Sequence, residues 1–191
     1  MSKASRSSKS EITRPGYREQ PELVSKLFVE YANKTRKIEI TQAALRKHLK
    51  QVRGLFLEYA QSLGFSLCFQ SFDKELAELP GIYASPDGRL LLATINGQPA
   101  GCAALHKLES DICEMKRLYV RPQFRGLHLG RQLTEKIIAE ARAIGYEKMR
   151  LDTIVGKMDR AIELYRQLGF LEINSYRPNP IPGAMYMELE L

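Results

Sequence analysis

The dipeptide Asn96-Gly97, set between the apolar runs 89–95 and 100–105, constrains this chain more than any other feature. A two-residue hairpin turn places its central residues at positive φ, which Asn and Gly tolerate, so the two runs are expected to pair as antiparallel neighbours. That expectation disfavours a purely parallel, doubly wound sheet. A third strand is read at 113–120, after the polar turn at Ser110-Asp111. The pattern then switches to helical period through Leu129, Leu133, Ile137, Ala141 and Ile144, with Gly145 as its C-cap. Residues 148–153 read as a strand, 158–168 as a helix ended by Gly169, and 170–173 and 185–191 as two last strands. Strands outnumber crossover helices, so the fold class is α/β of the α+β kind: a mixed sheet with helices on its faces.

Upstream, a stripe of Leu45, Leu49, Val52, Phe56, Tyr59 and Leu63 predicts an amphipathic helix, with Thr41 as its N-cap and Gly64 at its end. A shorter helix is expected over 72–79, stopped by Pro80-Gly81. Residues 1–37 form a basic extension, expected to be partly disordered, ahead of a domain over 38–191. The first sixteen residues carry almost no large apolar side chains, while Leu23, Leu27 and Tyr31 predict an accessory helix after Pro21. The extension holds nine basic and four acidic residues and so supplies five of the seven net positive charges. A near-neutral body behind a basic arm makes nucleic-acid binding an unfavoured reading.

Three scattered cysteines and three dispersed histidines form no C-x-x-C or H-E-x-x-H pattern, which argues against a disulfide framework and against a metal site. No apolar run approaches the length that spans a bilayer, and no signal-like segment opens the chain, so a cytoplasmic protein that uses no membrane is expected. It is expected to be a monomer or homodimer.

The chemistry concentrates at residues 118–131, where a strand passes through Pro122 and a glycine-containing turn directly into a helix. Free backbone N–H groups and the positive end of the helix dipole make such a junction a phosphate site. Arg125 and Arg131 add charge, and Gly126 and Gly130 permit close backbone approach. Neither G-x-x-x-x-G-K-[ST] nor G-x-G-x-x-G occurs, so nucleoside triphosphate and dinucleotide readings fall away.

This stretch, Arg125 to Gly130, resembles the pyrophosphate loop [RQ]-x-x-G-x-[GA] of the GNAT superfamily of acyl-CoA-dependent N-acetyltransferases, with His128 in place of the pattern's middle glycine. A second signature agrees: Ala161, Leu164-Tyr165 and Gly169-Phe170 match the family's late helix, although Met158 stands where an asparagine is usual. The resemblance implies a mostly antiparallel sheet whose central strands splay to bind acyl-CoA. Leu118, Tyr119 and Val120 would hold the pantetheine arm after a bulge near Lys116-Arg117, and Arg125, Gly126, Leu127, His128, Leu129, Gly130 and Arg131 would hold the phosphates. It further implies acetyl-CoA as cosubstrate and an amine as acceptor, with Glu114 as candidate base and Tyr165 as candidate acid at the leaving thiolate. Bland alternatives stand beside these: Glu114 as an ion-paired strand residue, Tyr165 as core packing, Cys113 as a buried thiol and the whole chain as a non-catalytic acyl-CoA-binding module. The acceptor wall would include the proline-rich loop 176–183.

Overall fold

The structure is a computed structural model that describes residues 36–67 and 70–191. The basic extension, its expected accessory helix and Cys68 lie outside the described residues. Seven strands form one sheet, in the order β1-β2-β3-β4-β5-β7-β6. They are β1 (Ile38–Gln42), β2 (Arg89–Ile95), β3 (Gln98–Lys107), β4 (Ile112–Val120), β5 (Lys148–Ile154), β6 (Leu171–Ile173) and β7 (Ala184–Glu190). Among the described residues four α-helices accompany them: α1 (Arg46–Leu63), α2 (Phe72–Glu78), α3 (Leu129–Ile144) and α4 (Asp159–Gln167).

All neighbouring strands run antiparallel except β4 and β5. The hairpin turns at Asn96 (φ 50°) and Gly97 (φ 78°), in the left-handed conformation that this dipeptide tolerates. Both sheet faces are covered, which explains why Leu90-Leu91-Leu92-Ala93 is an unbroken apolar run rather than an alternation. Leu90 and Leu92 face one core with Val52, Phe56, Phe72 and Tyr83, under α1 and α2. Leu91 and Ala93 face the other with Leu133, Ile137, Ile162 and Tyr165, under α3 and α4.

The start of the domain differs from the sequence expectation. Thr41 caps no helix: it lies in β1 and pairs with Leu92. Ile38 and Ile40 pack toward the core, and an edge strand on β2 gives this stretch ladder hydrogen bonds that a helix cap would not. The helix begins one turn later at Arg46, and Leu45, expected on its inward stripe, is 59% exposed. Gly64 ends α1 at φ 71°, as its position predicts.

Candidate active site

β4 and β5 stay paired for only three rungs, the last joining Glu114 to Arg150. Beyond it β4 continues along β3 to Val120 while β5 continues along β7 to Ile154, so the two part as a fork whose inner edges carry no ladder. A bulge marks the same place. Ala103 on β3 faces two residues of β4, Arg117 and Leu118, which sit between the partnered Lys116 and Tyr119. Arg117 adopts φ 58°, a conformation that costs a side-chain-bearing residue about 1–2 kcal/mol. Its side chain is anchored: Nε and Nη2 donate to the two oxygens of Glu75 at 2.8 and 2.5 Å, and the guanidinium lies 5.2 Å from the Phe72 ring centroid. The bulge occurs where the broken alternation at Lys116-Arg117 predicts it.

At the far end of β4, a single 3₁₀ turn over Pro122–Phe124 leads to Gly126 (φ 80°) and then to His128 (φ 56°), which precedes the first turn of α3. His128 is in the left-handed conformation, which glycine takes without strain and a residue with a Cβ takes less often. No backbone N–H from Gly126 to Arg131 donates to an acceptor among the described residues; the first helical bond runs from Gln132 N–H to the His128 carbonyl. Six consecutive unbonded donors at a helix N-terminus suit a pyrophosphate. Arg125 donates from Nε to the Val120 carbonyl at 3.2 Å.

Fork and loop open into one cleft of about 1040 Å³. Leu118, Tyr119, Val120, Arg125, Gly126, His128, Leu129 and Gly130 line it, as does Tyr165. Leu127 instead packs on the core, and Arg131 sends its guanidinium to Gln167 at 2.6 Å. Met158 lines the cleft and accepts a weak hydrogen bond from Thr153 Oγ1 to its sulfur at 3.4 Å. Tyr165 is 7% exposed, its ring packs on Phe170 and its hydroxyl bonds to no described residue. Burial pushes the phenol's pKa well above its ordinary value, so it keeps its proton at any working pH.

Glu114 has a different setting. It is fully buried, does not line the cleft, and accepts from Tyr176 Oη at 2.6 Å and from Arg177 Nη1 at 3.1 Å, with His106 Nε2 at 2.7 Å. Burial raises its pKa, but the hydrogen bond with His106 and the charges of Lys116 and Arg177 outweigh that and bring it down to about 2. Such a carboxylate holds its charge and takes up no proton near neutrality. Cys113 is buried too, and burial pushes its thiol up to about 12.

Lys116 and Asp152 line the cleft without having been expected as site residues, and Asn179 lines it from the loop expected as an acceptor wall. Asp152 Oδ1 accepts from Arg177 Nη2 at 2.6 Å and Oδ2 from Asn179 Nδ2 at 2.9 Å, so the loop expected as an acceptor wall ties to β5 through its polar side chains, not its prolines. No periodic signal marks such residues. The broken alternation at Lys116 was the one available hint.

Comparison with known proteins agrees with this geometry. The profile described as the acetyltransferase (GNAT) family matches residues 50–170. An uncharacterized N-acetyltransferase of Schizosaccharomyces pombe is 43% identical over 133 residues, 69% of this chain and 81% of the relative. An IAA acetyltransferase of Azospirillum brasilense is 40% identical over 110 residues, 56% of this chain and 71% of the relative. Among solved structures, a PaiA N-acetyltransferase from Thermoplasma acidophilum in complex with coenzyme A superposes with a TM-score of 0.63 at 17% identity, over 81% of this chain and 99% of that one. On the strength of its profile and its fold, the chain belongs to the acetyltransferase (GNAT) family.

Proposed function

We propose that this protein moves the acetyl group of acetyl-CoA to a primary amine by direct attack in a ternary complex. The observation that carries the reading is the continuity of one cleft from the run of free N–H groups at 126–131, past the unpaired edge of β4, to the unbonded Tyr165 hydroxyl. Residues 126–131 take the pyrophosphate, and the edge at 118–120 takes the amide-bearing arm as an added strand.

Acetyl-CoA supplies an activated acyl group, and the chain's own residues position it and handle protons. A carbon–nitrogen bond forms, the carbon–sulfur bond breaks, and the thiolate that leaves takes up the second proton shed by the attacking nitrogen and ends as a thiol. Tyr165 donates a hydrogen bond to that sulfur as charge develops. A phenol with a raised pKa is well suited to stabilise the charge, since it cannot itself ionise ahead of the thiol, whose pKa is roughly 8.5. Glu114 acts as a fixed charge: it holds Tyr176 and Arg177, and through Arg177 it positions Asp152. The acceptor's proton leaves by way of water or Asp152.

The test is release of free thiol from acetyl-CoA in the presence of an amine panel, run beside the thermal shift produced by coenzyme A alone. Thiol release that depends on the amine is expected. Stabilisation by coenzyme A with no release for any acceptor class would instead identify a binding module.

A further inference from the structure

The arms of the fork carry opposite charges at the same height. Opposed residues of a parallel pair direct their side chains to one face, and the last rung joins Glu114 to Arg150. Two residues further along each strand stand Lys116 and Asp152, both lining the cleft. A chain of contacts shows that they share a face: Lys116 Nζ lies 3.7 Å from Glu114, Glu114 2.9 Å from Arg177 Nη2, and Arg177 Nη2 2.6 Å from Asp152.

Lys116 has unused capacity. Its side chain is only 9% exposed, yet its ammonium donates no hydrogen bond to any described residue. Glu114, the carboxylate within 4 Å of it, is already held by Tyr176, His106 and Arg177. Lys116 lines the cleft and its ammonium is held, among the described residues, only by the 3.7 Å ion pair with Glu114, so its donors are open to the acceptors of a ligand. Asp152 has capacity of the other sign, because each of its oxygens accepts only one of the two bonds it can take.

We propose that the acceptor is a small amino-carboxylate of the amino-acid class, its carboxylate received by Lys116 and its ammonium by Asp152 at the opening of the fork. This rests on the acetyl-transfer reading above and names its substrate. The two side chains rise from neighbouring strands, so the anionic group must lie within a few bonds of the nitrogen. A polyamine would leave Lys116 facing a second cation, and a peptide N-terminus would bring no carboxylate. The reaction balances as an ammonium and a thioester giving an amide and a thiol, with one proton released to solvent.

The experiment pairs each proteinogenic amino acid with its decarboxylated amine in a thiol-release assay on the full chain, with a polyamine and a lysine-containing peptide alongside. Turnover of at least one amino acid is expected, with kcat/KM at least tenfold below it for the matching amine. Lys116→Met should raise the amino acid's KM about 10- to 100-fold, the effect of one charge-assisted hydrogen bond, and leave the KM for acetyl-CoA unchanged. Lys116→Arg should recover part of the loss. The wild-type pairs decide the question even where a variant does not fold. Equal turnover of the decarboxylated amine, turnover of the polyamine or peptide alone, or a Lys116→Met enzyme with unchanged KM would overturn the proposal while leaving acetyl transfer intact. Absence of thiol release with every acceptor class overturns both.

Discussion

Removing the hydroxyl of Tyr165 changes little in the folded protein, because that oxygen bonds to no described residue and the ring keeps its contact with Phe170. Tyr165→Phe is therefore expected to keep stability within about 1 kcal/mol and acetyl-CoA affinity near wild type. Its kcat should fall by roughly 10²–10⁴-fold. Steady-state kinetics with an authentic acceptor check this, and wild-type turnover would leave Tyr165 as core packing. Glu114 is expected to act on stability instead. Its pKa in the fold, about 2, lies below its ordinary value, so its contribution is complete above that ordinary value and drains away as pH falls toward 2. Glu114→Gln should cost about 3–5 kcal/mol at pH 7, because it leaves buried cations short of an anion. Its melting temperature should also fall less steeply than that of the wild type between pH 5 and pH 2, a difference that calorimetry across that range measures. The periodic stripe of α4 makes Tyr165 legible in the sequence. The setting of Glu114 is not, since Tyr176 and Arg177 reach it from 62 and 63 residues away.

In the proposed reading, coenzyme binding depends on the first turn of α3. At Gly130 an added Cβ would meet Val120 Cγ2 at 3.9 Å and Leu164 Cδ2 at 4.0 Å, ordinary contacts that the fold accepts. The space beyond is that of the cleft. Coenzyme A at about 100 times its Kd should raise the wild-type Tm by about 5–10 °C. Gly130→Val is expected to stay folded and lose that shift, and an equal shift in the variant would refute the phosphate assignment of this loop. Both ends of α3 can be read from local pattern, because Leu129 opens the apolar stripe and Gly145 closes it in the left-handed conformation at φ 103°. The start of α1 cannot. Whether Thr41 caps a helix or joins a ladder depends on β2, a strand some fifty residues downstream that offers it a partner in Leu92.

At the scale of the molecule, the cleft draws its walls from Tyr59 onward, and the described domain begins with the Lys37 amide donating to Asn96 Oδ1 at 2.9 Å. Removal of residues 1–35 is expected to leave the stabilisation by coenzyme A unchanged, as a thermal shift on the truncated chain would register. A folded truncation that no longer responds would place the extension in the binding body. By itself the sequence determined the elements and their kind apart from β1: the hairpin from Asn96-Gly97, the strand-turn-helix junction at 118–131 and the stripes of α3 and α4. Those signals act within a few residues, through φ preference and the spacing of apolar side chains. Only the tertiary structure decided which charges face one another at the fork. β4 and β5 lie side by side for three rungs and then separate, and that register, with the loop after β6 folded back onto it, sets Lys116 level with Asp152 and closes Glu114 away from both water and the cleft. No local preference encodes such a placement, because the packing of two covered sheet faces fixes the register and a one-residue slip would turn every one of these side chains to the opposite face.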